Sequence, residues 1–61
     1  MKINELYNQK DINNEGLVEY PVRDIKAKVY INGTKVFFFE LVNNQQCYRL
    51  YSIINKRSLF L

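Results

Sequence analysis

The dipeptide Asn32-Gly33 lies between two apolar stretches, in the segment VYINGTKVFF. Asn-Gly in this setting is the strongest short-range signal for a β-hairpin, because a type I′ turn needs positive φ at both central residues. A second polar run, residues 43–46, separates FFFELV from CYRLYSII. The sequence therefore predicts a three-stranded antiparallel meander, with strands at about 25–31, 34–42 and 47–54.

Cross-strand pairs support one register for this meander. A four-residue second loop at Asn43–Gln46 places Glu40 opposite Arg49, an opposite-charge pair worth about 0.2–1 kcal/mol. A two-residue loop at Asn43-Asn44 would instead place Glu40 opposite Cys47 and lose that pair. The predicted register also pairs Val29 with Val36, Lys28 with Phe37, Phe38 with Tyr51, and Phe39 with Leu50.

The same register gives the predicted sheet two apolar faces. The first, predicted to be the core, carries Ile25, Ala27, Val29, Ile31, Val36, Phe38, Val42, Cys47, Tyr51 and Ile53. The second has an aromatic centre and a basic margin. An exposed apolar patch of this kind is typical of an interaction site. We therefore expect the second face to be exposed and to bind a partner through Phe37, Phe39, Leu41, Tyr48, Leu50, Lys26, Lys28, Tyr30 and Lys35.

The N-terminal part of the chain supplies a cover for one face. An apolar stripe formed by Ile3, Leu6 and Tyr7 predicts a short helix over residues 3–10. Residues 11–16 (DINNEG) have the composition of a loop, and 17–22 (LVEYPV) is extended, with Pro21 requiring that this strand lie at a sheet edge or end at a bulge. The predicted fold is a β-rich α+β domain. Its short N-terminal helix packs on a small twisted antiparallel sheet, a three-stranded meander plus an edge strand, and closure into an SH3-like barrel is an alternative.

Size and composition limit the means of stabilisation. The 61 residues form a single small domain, residues 1–61, of a size that often depends on disulfides, metals or oligomerisation. One cysteine and no histidine exclude an intrachain disulfide and a histidine-bearing zinc site, and we expect no cofactor. No apolar run of the length of a signal peptide or a membrane span is present, so we expect a cytoplasmic protein without membrane contact.

Catalysis is not predicted. Without histidine there is no His-based dyad or triad, and the carboxylates show no paired spacing. Cys47 is more simply read as a small apolar residue than as a thiolate nucleophile. We therefore expect a protein that is not an enzyme.

Binding is the predicted function. An aromatic patch with a polar rim is typical of a protein interface. The main expectation is an accessory or inhibitory protein that occupies a surface of a larger host protein. The abundance of Asn, Ile, Lys and Tyr suggests a low-GC source such as a phage or mobile element. Self-association as a homodimer at micromolar concentration is also expected. The alternative is a small nucleic-acid-binding protein that stacks bases on the aromatics and contacts phosphates with the lysines.

The tail sequence Ser58-Leu59-Phe60 resembles the end of the peptide motif that binds the bacterial sliding clamp. The resemblance covers three residues, and the glutamine that usually opens that motif is replaced by Lys56. A last strand, or a plug on the core, is the simpler interpretation of this tail.

Overall fold

The computed structural model describes residues 1–42 and 47–59, the side chain of residue 59 excepted. These residues form a mostly antiparallel five-stranded sheet with short helices, a β-rich α+β arrangement. The spatial order of the strands is β1-β5-β4-β3-β2, so the first and last strands of the chain are neighbours. The elements in chain order are β1 (Leu6–Asn8), α1 (Gln9–Asn14), β2 (Val18–Tyr20), β3 (Ala27–Asn32), β4 (Lys35–Leu41), β5 (Cys47–Asn55) and α2 (Lys56–Leu59).

The predicted meander is present as β3, β4 and β5. Glu40 pairs with Arg49 and Phe39 with Leu50, as the sequence predicted. A β-bulge follows, because Tyr51 is an extra residue on β5 and Phe38 pairs with Ser52 instead. The predicted pairing of Phe38 with Tyr51 is therefore wrong for the backbone, although the two rings remain 6.1 Å apart, centroid to centroid. The predicted loop at Asn43–Gln46 lies outside the described residues.

The turn of the first hairpin lies one residue later than predicted, which shifts the pairing of its strands by two residues. Asn32 pairs with Lys35, so the two residues of the turn are Gly33 and Thr34. Gly33 has φ of +60°, and among the described non-glycine residues only Asn4 has positive φ. Positive φ at the first turn residue alone indicates a type II′ rather than the predicted type I′ turn. A two-residue slip preserves the alternation, so each side chain stays on its predicted face.

Gly33→Val is expected to destabilise this hairpin. A β carbon at Gly33 would meet no atom within 4 Å, so the cost comes from backbone conformation and not from a clash. A β-branched residue held at positive φ costs about 1–3 kcal/mol, which should lower the melting temperature by roughly 5–20 °C. Circular dichroism on heating measures the effect. Gly33→Asn is the control and should lose less, because asparagine tolerates this region; equal melting of the Val variant and the wild type would contradict the turn.

The N-terminal prediction is corrected by the structure. The helix predicted over residues 3–10 is wrong: Leu6–Asn8 is a strand, and the helix lies at Gln9–Asn14, mostly in the loop predicted at residues 11–16. Asn8 begins α1 with a capping box, since its Oδ1 accepts from the Asp11 amide at 2.8 Å and Asp11 Oδ2 accepts from the Asn8 amide at 3.2 Å. These bonds satisfy amides that the first helical turn leaves unpaired.

The segment after α1 agrees better with its prediction. Gly16, just beyond the helix, has φ of +71°. Val18–Tyr20 forms β2, an edge strand that ends immediately before Pro21. The alternative of an SH3-like barrel is not confirmed, because β1 and β2 are the two edges of the sheet and are not paired with each other.

The core lies on the face predicted to be exposed. Its buried cluster joins Phe39 of the central strand β4 and Leu50 of the adjacent β5 to Tyr30 of β3 and Ile12 of α1. The apolar residues packed around this cluster are Met1, Tyr7, Leu17, Phe37, Tyr48 and Ile53. Three of these come from residues 1–17, so the N-terminal segment covers this face of the sheet.

Candidate protein-binding face

The nine residues predicted to bind a partner are mostly part of the core. Phe39 and Leu50 are fully buried and Tyr30 is 3% exposed, so the expectation that this face is exposed is wrong. Phe37, Leu41, Tyr48 and Lys28 are half-buried. Lys26 and Lys35 are exposed. The aromatics lie together as predicted, but they face the N-terminal segment instead of solvent.

Aromatic contacts explain why this face is the covered one. Tyr7 of β1 and Tyr30 of β3 both meet the Phe39 ring edge-on, with centroids 6.4 and 5.6 Å away. Edge-to-face pairs of this kind are each worth about 0.5–1.5 kcal/mol beyond the area they bury. Pairing of β1 with β5 places Tyr7 beside Tyr48 and lets α1 lay Ile12 over the centre of the sheet.

Lys28 takes part in this cover. Its ammonium donates to Gln9 Oε1 at 3.2 Å and lies 5.3 Å from the centre of the Tyr48 ring. Gln9 in turn donates to the Tyr30 hydroxyl at 3.0 Å. Lys28 and the Tyr30 hydroxyl therefore tie α1 to the sheet, which is a structural role.

The opposite face of the sheet is the candidate site, and we call it the open face. Strand register defines it by four rows of side chains, Val18-Ile31-Val36-Ile54, Tyr20-Val29-Phe38-Ser52, Ala27-Glu40-Arg49-Leu6 and the shorter Cys47-Asn8, with Tyr51 beside Phe38. Leu6, Val18, Tyr20 and Tyr51 are 51%, 69%, 41% and 42% exposed. Phe38, Ile31 and Ile54 are half-buried, whereas Val29 and Val36 are buried. This face was predicted to be the core, and that prediction is wrong for its outer residues.

An ion pair lies within the open face. Arg49 Nε donates to Glu40 Oε1 at 2.7 Å, and the Arg49 guanidinium also donates to Asn4 Oδ1. The same guanidinium lies 5.9 Å from the centre of the Tyr51 ring, which contacts Phe38. Neither charge is buried, with 34% of the Arg49 side chain and 46% of the Glu40 side chain exposed. These contacts fix the positions of the Glu40 and Arg49 side chains within a largely apolar surface.

Sequence reasoning missed the residues that the edge strands add to this face. Leu6 had been placed on a helical stripe, and Val18 and Tyr20 in an extended segment of unassigned face. The sequence carried a signal for two of these residues, because Val18 and Tyr20 alternate with the charged residue Glu19. Period-two alternation assigns Val18 and Tyr20 to one face once β2 is paired with β3.

The described part of the open face includes a thiol but no metal-binding cluster. Among the described residues, no group of three or more His, Cys, Asp or Glu side chains is placed to hold a metal ion. Cys47 is a half-buried free thiol at the start of β5. Ser58 of the tail motif belongs to α2, and Phe60 lies outside the described residues. No helix in the described part of the chain is both long and apolar enough to cross a membrane.

Comparisons with protein-family models, with curated proteins and with solved structures find no match to this chain.

Proposed function

We propose that this chain is a non-enzymatic accessory or inhibitory protein that uses its open face to occupy a surface of a larger protein. The expected setting is the cytoplasm of a low-GC bacterial host, with a phage or mobile element as the source of the gene. The observation that carries the proposal is the exposure of apolar side chains on one face of a sheet whose other face is already covered.

The composition of the open face supports protein binding. Tyr20, Phe38, Tyr51 and Arg49 are of the residue types enriched in the centres of protein interfaces. Four of the seven large apolar side chains that are exposed in the described residues lie on this face, and an apolar patch of this kind is typical of an interaction site. Aromatic rings with two side-chain dihedrals also lose little conformational entropy when a partner orders them.

The test is affinity capture from a low-GC bacterial lysate with the wild-type chain and Tyr51→Ser. Tyr51 protrudes at the bulge, and its removal should take away contact area without opening the core. We expect capture of one protein by the wild type at near-stoichiometric yield, resistant to nuclease, and a loss of at least tenfold with Tyr51→Ser.

Ile3→Ser is the matched control for that experiment. Ile3 is exposed to a similar extent as Tyr51 but lies outside every strand. The Ile3→Ser variant should capture the same protein as the wild type. The melting temperatures of Ile3→Ser and Tyr51→Ser should lie within a few degrees of the wild-type value. Equal capture by wild type and Tyr51→Ser would remove the open face as the binding surface.

Nucleic-acid binding is the second candidate, and an exposed basic group at one end of the sheet favours it. Lys35 pairs with Asn55, and the next residue, Lys56, donates its amide to the Thr34 carbonyl at 2.7 Å. Arg57 follows, and all three cations are exposed. The aromatics expected to stack bases are largely in the core, however, which weakens this candidate. Binding to single-stranded DNA that falls steeply with salt, and by less in Lys56→Ala, would support it.

A further inference from the structure

The open face carries no net charge, although the whole chain has a formal charge of +3. Among the described residues that register places on this face, the only charged ones are Glu40 and Arg49, which pair with each other. The exposed basic residues Lys35, Lys56 and Arg57 lie at the end of the sheet instead. A neutral apolar face suits a second apolar face better than it suits a nucleic acid or a strongly charged surface.

We propose that the occupant of the open face, when no foreign protein is bound, is a second copy of this chain, packed face to face about a two-fold axis. The inference rests on the proposed function, because both use the open face, and it adds a regulatory consequence. Self-association masks the face, and a foreign partner must compete with the dimer. The occupied fraction of the face therefore depends on the concentration of the chain itself.

The ion pair makes the open face complementary to itself. In a two-fold interface each surface patch meets its own copy, so a positive group must find a negative one near the axis. Glu40 and Arg49 lie directly opposite each other on the adjacent strands β4 and β5. An axis passing between them brings Arg49 of each copy toward Glu40 of the other, which gives a ring of alternating charges. Glu40 and Arg49 both retain exposed surface for this second contact.

The size of the face sets the expected strength. Register places fourteen residues on the open face, each covering roughly 4.8 by 6.8 Å of the sheet, so each face covers roughly 450 Å². A pair of faces then buries on the order of 1,000 Å², the lower limit for a specific interface. Desolvation of the two charges reduces the gain further. We therefore expect dissociation in the micromolar range, weak enough for a foreign partner to displace the second copy.

Edge pairing is a poorer route to the same dimer. The edge strands β1 and β2 contain only three residues each, so strand addition at either one would form few backbone hydrogen bonds. Short edge strands are a common means of preventing such addition. The face offers more apolar contact than either edge.

A charge-exchange experiment tests the proposal. Wild type, Glu40→Arg and Arg49→Glu are examined by sedimentation equilibrium, alone and as a 1:1 mixture of the two variants. Wild type should dimerise at micromolar concentration. Each variant alone places like charges across the axis and should dimerise at least tenfold more weakly. The mixture restores opposite charges, and native mass spectrometry should then find heterodimers in preference to either homodimer.

Two control variants carry the same changes in charge away from the open face. Glu15→Arg and Lys10→Glu alter exposed positions at or next to α1 and should dimerise as the wild type does. A wild-type chain that stays monomeric at several hundred micromolar would overturn the proposal. So would a mixture of folded charge-exchange variants that forms no heterodimer.

Val18→Lys keeps the test decisive if a charge-exchange variant fails to fold. Val18 is the most exposed apolar residue of the open face, so lysine there should leave the fold intact and abolish the dimer. If Val18→Lys dimerised as strongly as the wild type, the proposal would be contradicted. Failure of self-association is distinguishable from failure of the proposed function, because Tyr51-dependent capture of a foreign protein by a monomeric chain would still support the latter.

Discussion

Phe39→Ala is expected to leave the chain unfolded at room temperature. The Phe39 side chain is fully buried and contacts Tyr7 and Tyr30 edge-on, so its truncation removes both ring contacts and opens a cavity at the centre of the sheet. Changes of this kind cost about 3–5 kcal/mol. A domain of this size rarely holds more than about 3–5 kcal/mol in total. Far-ultraviolet circular dichroism and urea titration measure the loss.

Tyr51→Ala is the matched control for Phe39→Ala. It removes an aromatic ring from the neighbouring strand β5 but on the open face, where the side chain is already partly exposed. We expect a loss of about 1 kcal/mol or less and a folded protein. If Phe39→Ala were folded and Tyr51→Ala unfolded, the assignment of core face and open face would have to be exchanged.

Ile12→Ala should have the second-largest effect, about 2–5 kcal/mol. Ile12 is the buried residue of α1, and a six-residue helix has little stability apart from its packing. Lys10→Ala, at an exposed position of the same helix, is the control and should change stability by a few tenths of a kcal/mol.

Amide hydrogen exchange adds a second readout for Ile12→Ala. Because Ile12 belongs to the same cluster as Phe39 and Leu50, we expect exchange to accelerate in β3 and β4 as well as in α1. Acceleration confined to α1 would show that the helix is a separate unit that the sheet does not require.

The sequence predicted the local parts of this fold and failed on the non-local ones. The meander, the Glu40–Arg49 pair and the edge position of β2 follow from alternation, turn residues and a proline. The segment around Leu6 and Tyr7 was misread, because three apolar residues at helical spacing are too few to distinguish a helix from a short strand. Pairing with β5, about 40 residues later, decided between them. The Asn8–Asp11 capping box was a readable signal for the true start of the helix.

The candidate site shows the same difference between local features, which the sequence predicted, and non-local ones, which it did not. Alternation establishes which residues share a face, and all nine predicted site residues do lie on the predicted side of their strands or at its margin. Alternation does not establish which face is covered, since that depends on where residues 1–17 pack. The covered face proved to be the one with Phe39, whose ring accepts two edge-on tyrosine contacts. The Glu40–Arg49 pair, which interrupts the other face, was the clue in favour of solvent on that side.

The pairing of β1 with β5 has a consequence for the order of events during synthesis. Residues 1–17 are synthesised before the rest of the sheet, yet the strand to which β1 binds is the last one of the described chain. The β3–β4 hairpin has only local partners and can form early, whereas β1 and α1 have no complete sheet to pack on until β5 emerges. Both faces of the nascent sheet are therefore apolar and uncovered at that stage, and residues 1–17 pack last although they are made before the strands they cover.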